Sequence, residues 1–347
     1  MFEDSCGPSR GDGPTMITVI GESVVDMVAE GGGRAYTGHP GGSPLNVAVG
    51  LARLGDPTAF VARLSTGVLG RTLRAHAAAN GVDLRWAVPA SEPATLAIVS
   101  VDEAGQAAYD FYVEGTADWQ WGDGEPHLPA ETRVVHTGSV AAWRPPGGDR
   151  IAGAVARARA EGRVLISYDP NIRPALLDDP ASARPLIERY VTLAHVVKVS
   201  EEDLSWLYPN RPAGEVAREW LGLGPDLVVV TYGGEGCLGL TRGGHALRRP
   251  AIPVQVVDTV GAGDAFTAGL LDGLLRGGHA TPALIGELSE AELTGILDQA
   301  ATVAGLTCRR AGANPPTRAE LRAAQGPDHR YRRPAGPPDR DGGAGGR

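Results

Sequence analysis

Strand-like and helical patterns alternate along this chain from Ile17 to Cys308, and that alternation limits its possible folds more than any single motif. Strands are expected at Ile17–Ile20, Thr58–Ala62, Val134–His136, Val164–Tyr168, His195–Val199 and Leu227–Thr231. Helical patterns fall between or after them at Val68–Ala79, Arg150–Ala160, Ala265–Leu275 and Glu290–Cys308, with others opening near Ser43 and Ser200. Parallel strands need crossover connections, usually helices, so the expected fold class is α/β: a mainly parallel central sheet with helices on both faces. One segment breaks the rhythm. Thr95–Val101 and Ala107–Val113 alternate around Asp102–Gln106 and read as a β-hairpin. With a loop from Gly31 to His39, that hairpin predicts a small β-sheet over residues 22–40 and 93–118, either a lid or an edge ornament.

The ends differ in character. Residues 1–15 are rich in Gly and Pro and are expected to be disordered, with Met16 close to the natural start. Residues 16–318 form the expected domain, and residues 319–347 a mostly disordered tail, Pro/Gly/Arg-rich from Gln325 onward.

Charge and composition exclude several classes. A net charge of -9 and a pI near 5.4 leave no basic surplus for nucleic acid. No apolar run reaches the ~18 residues of a membrane span. Cys6, Cys237 and Cys308 have no metal or redox spacing, which points to a reduced cytoplasm. Of the 32 basic residues, Lys198 alone is lysine. A Walker-type phosphate loop and the strand lysine of protein kinases therefore cannot occur, and no H-E-x-x-H zinc motif is present.

Several polar or glycine-rich stretches follow strand ends, where open α/β sheets hold ligands. Asp258-Thr259-Val260-Gly261-Ala262-Gly263-Asp264 follows a β-like run at Ile252–Val257 and opens a helix. Glycines at a helix start let backbone N–H groups converge, and the helix dipole favours an anion there. Asp264 stands in that first turn, either for helix stability alone or for chemistry beside the anion. Gly41-Gly42 allows a close backbone approach, Ser43 and Pro44 suit a helix start, and Asn46 offers an amide for a hydroxyl. Asp26 lies in an alternating strand, on a solvent face or in a site. Lys198 fits either an edge position or a phosphate.

Together these stretches resemble the ribokinase-like, or PfkB, family of sugar kinases from about Met16 to Arg318, and within it bacterial fructokinases most. Gly41-Gly42-Ser43-Pro44-Leu45-Asn46-Val47-Ala48 is similar to the family's first signature, and Asp258–Asp264 to its second, the more specific one. Gly21-Glu22, Asp169-Pro170-Asn171-Ile172-Arg173 and Lys198-Val199-Ser200-Glu201-Glu202 carry the fructokinase likeness. The resemblance implies a ribokinase-like three-layer fold and ATP-dependent phosphorylation of a primary sugar hydroxyl, with fructose the favoured acceptor. It implies Asp264 as catalytic base and Gly261, Ala262 and Gly263 as the anion hole. Asp26, Gly41, Gly42, Asn46 and Arg173 are implied for the sugar. Lys198, Ser200, Thr231, Gly233 and Gly236 are implied for ATP. Asp203 corresponds to a Mg²⁺-linked position, where this chain reads Ser-x-x-Asp in place of Asn-x-x-Glu. Asp258 and Val260 correspond to a monovalent-cation loop, with K⁺ the expected ion. Relatives often pair through the lid, so a homodimer is a further expectation, with Tyr109, Phe111 and Tyr112 either on its face or packed on their own domain.

Other readings stay open at this point. 2-Keto-3-deoxygluconate, ribose or a nucleoside are alternative acceptors, and Arg173 suits an acidic sugar. Gly261-x-Gly263 also matches half of a dinucleotide fingerprint, although Phe266 occupies the place of its third glycine. A non-catalytic sensor on the same fold would not need Asp264.

Overall fold

The computed structural model describes residues 16–30, 34–101 and 107–326. The expectations for residues 1–15 and for the end of the tail lie outside them. The chain begins with β1 (Met16–Ile20), β2 (Val24–Glu30), β3 (Ala35–Gly41), α1 (Ser43–Arg53), β4 (Thr58–Val61), β5 (Arg63–Ser65) and α2 (Val68–Ala79). Next come β6 (Val88–Ala90), β7 (Thr95–Val101), β8 (Ala107–Tyr112), β9 (Thr132–Gly138), α3 (Ser139–Trp143), α4 (Gly147–Ala160) and β10 (Leu165–Asp169). The middle holds α5 (Pro180–Leu193), β11 (Val196–Ser200), α6 (Glu201–Leu207), α7 (Ala213–Leu223), β12 (Leu227–Thr231), β13 (Cys237–Thr241) and β14 (Ala246–Arg249). Four helices complete it: α8 (Ala262–Arg276), α9 (Pro282–Ile285), α10 (Glu290–Cys308) and α11 (Arg318–Gln325).

Eight strands form the main sheet in the order β14-β13-β12-β11-β10-β9-β1-β4, parallel from β12 to β4 and antiparallel at the β13–β14 edge. Side chains alternate across each strand, so the sheet serves two cores. Ile20, Val135, Ile166, Val197 and Val228 pack with Ile151 of α4, Ile187 of α5 and Trp220 of α7 on one face. Val19, Val134, Leu165, Val196 and Val229 pack with Leu45 of α1, Leu270 of α8 and Ile296 of α10 on the other. This is the expected three-layer α/β arrangement. From β1 the chain builds to β4 on one side and returns through β9 on the other, so a switch point lies between β1 and β9. Ligand crevices open beyond the carboxyl ends of strands at such points. Among the described residues no helix is long and apolar enough to cross a membrane.

The second sheet has the order β3-β2-β7-β8 and stands where the lid is expected. Two local expectations need correction. Residues 35–39, read as part of a loop, belong to strand β3, which pairs antiparallel with β2 from Val24↔Gly41 to Glu30↔Ala35. Ile252–Val257 is not a strand. Pro253 removes a ladder donor, and Val256 and Val257 are 58% and 63% exposed, so the run has apolar residues but no sheet to join. The folded chain also continues into the expected tail. Thr317 and Glu320 form a capping box for α11, whose Leu321 is fully buried, and Arg318 binds Asp272 and the Leu54 carbonyl. A single apolar residue in a polar segment gives little periodic signal for such a helix.

The lid joins the main sheet through Glu22 and Ser23. Glu22, 1% exposed, accepts a hydrogen bond from the Ala141 N–H of α3 at 3.0 Å. The Ser23 N–H donates to Asp118 at 2.8 Å, and Thr95 of β7 donates to the same carboxylate at 2.6 Å. Burial raises the Glu22 carboxyl to about 7, against hydrogen bonds from Ser139 and Ala141 that favour its charged form. Burial also raises Asp118 to about 6.

Two predictions follow from packing and burial. Gly269 on α8 faces α10 so closely that a Cβ would stand 2.9 Å from Ala300 Cα and 3.0 Å from Val303 Cβ. Gly269→Val should cost about 2 kcal/mol or more by overpacking, read as a lower urea midpoint with unchanged slope. For Glu22, the folded protein favours the neutral carboxyl. That contribution is complete below the ordinary value of 4.5 and lost as pH rises through about 7. Glu22→Gln should therefore gain stability over the wild type between those values, by up to roughly 3 kcal/mol, and level off above them. Urea titrations across this range test it, and a pH-independent difference would refute it.

Candidate active site

Two clefts meet at the amino-terminal turn of α8. The first encloses about 490 Å³ beyond the β1–β9 switch point and is lined by Glu22, Asp26, Ser43, Asn46, Arg173 and Asp264 among others. Its floor follows from local backbone chemistry. Gly42 has φ +97°, and a Cβ there would meet the Glu22 carbonyl and the Val24 amide at 3.0 Å, so the turn into α1 admits only glycine comfortably. A Cβ on Gly41 would collide with the Asp26 carboxylate. Asp26 sits half-buried on β2, and burial raises its carboxyl to about 6, with Arg173 and His39 opposing and Asp264 adding to the rise. Arg173 is held by its own loop, donating to Asn171 Oδ1 at 2.6 Å and to the Asn171 and Ile172 carbonyls at 3.1 Å. Phe111 of the lid hairpin also lines this cleft, whereas Tyr112 is 59% exposed and the Tyr109 side chain lies outside the described residues.

Asp264 is 7% exposed and carries the most constrained carboxylate of the cleft. Ser43 Oγ donates to Oδ1 at 2.6 Å, and Asn46 Nδ2 donates to Oδ2 at 2.8 Å. Burial pushes its carboxyl up, and those two hydrogen bonds hold it down by stabilising the charged form. Asp169 raises it further and Lys198 lowers it. Gly261 caps α8 in the left-handed region at φ +74°, and the first turn of the helix, whose N–H groups have no intrahelical acceptors, lies at the junction, with the Ala262 N–H donating to the Thr259 carbonyl at 3.1 Å.

The second cleft, about 510 Å³, lies on the other side of the same turn. Thr231, Gly233 and Gly236 line it from the β12–β13 connection, and Ala262 and Gly263 from α8. Val254, Val256, Ala301, Ala304 and Gly305 give it apolar walls. Val260, Gly261 and Asp264 face the first cleft, and Thr259, Ala262, Gly263 and Phe266 the second. One turn is shared by both.

The remaining expected residues stand behind or beside this junction. Lys198 is 5% exposed and lines neither cleft; its Nζ donates to Asp169 Oδ2 at 2.9 Å. The edge-position reading of this lysine is therefore excluded. Ser200 caps α6 by accepting from the Asp203 N–H at 3.0 Å, and Asp203 Oδ1 accepts from the Ile172 N–H at 3.0 Å. Burial and then Asp169 raise the Asp203 carboxyl to about 6. Asp258 accepts from the Val260 N–H at 3.0 Å and the Gly312 N–H at 2.7 Å, pinning its loop.

Three polar residues at the site escaped assignment from sequence: Glu22, Ser139 and Asp169. Each follows or ends an apolar strand, which is the signal that finds them. Ser139 has φ +55°, uncommon for a non-glycine residue, at the β9–α3 junction.

Known proteins resemble this chain in both sequence and fold. Residues 14–320 match the model of the pfkB family carbohydrate kinases. A fructokinase of Rhizobium leguminosarum bv. trifolii is 36% identical over 282 residues, covering 80% of this chain and 85% of its own. The crystal structure of a Xylella fastidiosa fructokinase with bound ATP superposes with a TM-score of 0.82 at 28% identity, over 89% of this chain and 98% of that one. A fructokinase double mutant from Vibrio cholerae O395, crystallised with fructose, ADP and potassium ion, gives 0.78 at 28% identity over 90% and 99%. The chain belongs to the pfkB family of carbohydrate kinases, with the ribokinase-like fold, and it is a sugar kinase.

Proposed function

We propose that this kinase transfers the γ-phosphoryl group of ATP to the primary hydroxyl of fructose, giving fructose 6-phosphate and ADP. The observation that carries the proposal is the shared turn at Gly261–Asp264, with its carboxylate in a polar cleft and its small residues in an apolar-walled one. The polar cleft takes the sugar. Asp26, Asn46 and Arg173, with the close backbone of Gly41 and Gly42, offer acceptors and donors for vicinal hydroxyls. The other cleft takes the nucleotide, with Thr231, Gly233 and Gly236 at its rim. The sugar oxygen forms a bond to the γ-phosphorus as the bond from phosphorus to the β-γ bridging oxygen breaks. The hydroxyl proton passes to Asp264, and ADP carries away the bridging oxygen. Gly261, Ala262 and Gly263 are the anion hole we assign to the transferring group, where fixed dipoles stabilise developing charge, with the Ala262 N–H engaged by the Thr259 carbonyl at 3.1 Å. Burial makes Asp264 a better proton acceptor than an ordinary aspartate, while Ser43 and Asn46 orient it.

A magnesium ion supplies charge neutralisation on the phosphates when bound. Magnesium bound with a nucleotide takes most of its ligands from phosphate and water and needs only one or two protein carboxylates. Asp203 is the protein carboxylate we assign to it, with Ser200 beside it; burial first and then Asp169 raise this carboxyl, and a cation there would offset both. Asp258 and Val260 are assigned to a monovalent cation, because the Asp258 oxygens keep lone pairs after accepting the two amides. A cytoplasmic setting, where ATP and free sugars meet, and a homodimer that covers Tyr112 through the lid complete the proposal.

Arg173 in the sugar cleft supports one other acceptor class, a sugar acid such as 2-keto-3-deoxygluconate. A panel of sugars with ATP and magnesium, with and without potassium, read by coupled ADP release, separates the two. Fructose should have the highest kcat/KM; no preference for it would overturn the narrow assignment. Asp264→Asn should lower kcat by about a thousandfold or more while ATP affinity measured by calorimetry changes less than about twofold. A fully active variant would remove Asp264 as base.

A further inference from the structure

Lys198 is the only lysine of the chain, and its surroundings do not resemble those of a phosphate-binding side chain. It is buried in the middle of β11 and lines neither cleft. Its ammonium is held by Asp169 Oδ2 at 2.9 Å, an oxygen that also accepts from Thr267 of α8 at 3.3 Å. Asp169 Oδ1 accepts from the Asn171 N–H at 3.2 Å, so the same carboxylate anchors the loop that presents Arg173. A Cβ on Gly263 would stand 3.1 Å from Lys198 Nζ. The ammonium is therefore packed against the first turn of α8, one residue from Asp264.

A charge buried there acts in a medium of low effective dielectric and reaches a neighbouring carboxylate strongly. The groups facing Asp264 come from every element around it. Ser43 and Asn46 of α1 donate hydrogen bonds, Asp169 of β10 and Asp26 of β2 oppose its ionisation, and Lys198 of β11 favours it. Arg173 faces Asp26 and Asp203. Burial would lower the Lys198 ammonium, but Asp169, Asp203 and Asp264 outweigh burial and keep it charged.

We propose that Lys198 is a positioning residue that acts through the first turn of α8: held by Asp169, which Thr267 also binds, its buried ammonium keeps Asp264 ionised and steadies the anion-binding turn without touching either substrate. The inference rests on Asp264 as the base. It differs from the family-derived expectation, in which this lysine meets ATP phosphate directly.

The test compares wild type, Lys198→Met and the double variant Asp169→Asn/Lys198→Met in kcat/KM for ATP from about pH 5 to about pH 9, at saturating sugar. Lys198→Met should move the acid limb to higher pH, with about a tenfold greater loss on the acid side for each unit of displacement. The KM for ATP should stay within about threefold. In the double variant, which also removes the charge opposing ionisation, the limb should lie below that of Lys198→Met. Should Lys198→Met fail to fold because Asp169 is left buried and unpaired, the double variant, which leaves neither charge of the pair, still reports through its KM. A rise in the KM for ATP of more than about tenfold, or an acid limb unmoved in Lys198→Met, would overturn the proposal. Absence of sugar-dependent turnover in the wild type would instead fail the kinase reading itself.

Discussion

The hydrogen bonds from Ser43 and Asn46 to Asp264 are the interaction on which the rest of this site depends. They join positions 221 and 218 residues apart in the chain. A carboxylate this buried would otherwise stand unsatisfied, at a cost of several kcal/mol. Meeting that need requires the amino-terminal ends of α1 and α8 to point at one place. Both helices lie on the same face of the main sheet and share its core through Leu45 and Leu270. The apolar layers thus bring two helix starts together, and the polar groups at those starts fix their final register.

Around that contact the protein accumulates buried ionisable groups. Glu22, Asp118, Asp169 and Asp264 are buried and Asp26 and Asp203 half-buried, against the buried Lys198 and the half-buried Arg173. Such a concentration of carboxylates is unfavourable for folding when they are charged and favours ligands that bring positive charge or hydrogen-bond donors. A polyol and a metal-bound nucleotide are ligands of that kind. The lid is tied into the same network, since Ser23, Thr95 and Asp118 link its strands to the joint beside Glu22. Lid position and the protonation of the cleft's rear wall are therefore physically connected.

Much of the architecture was legible before any coordinates. The strand–helix rhythm predicted the parallel sheet, and α2 and β12 fall on the residues expected for them. The glycine-rich starts of α1 and α8 and the carboxylate in the first turn of α8 were also visible. Less visible were α11, which rests on one buried leucine and a capping box, and β3, whose residues are exposed and poor in strand formers until Gly41. Ile252–Val257 misled in the opposite direction: β-branched residues there line a cleft or face water because Pro253 and the edge position leave no ladder to join.

By itself the sequence determined the fold class, the two glycine-rich turns and the identity of the acid at the junction. These depend on periodicity, backbone freedom and side-chain chemistry, which are local properties. Only the tertiary structure decided that Asp264 faces one cleft while Ala262 and Gly263 face another, that Glu22 lines the first, and that Lys198 lies buried against Asp169. Those facts depend on which strand carboxyl ends become neighbours across the sheet. Sheet order is a matter of long-range packing, and no spacing along the chain records it.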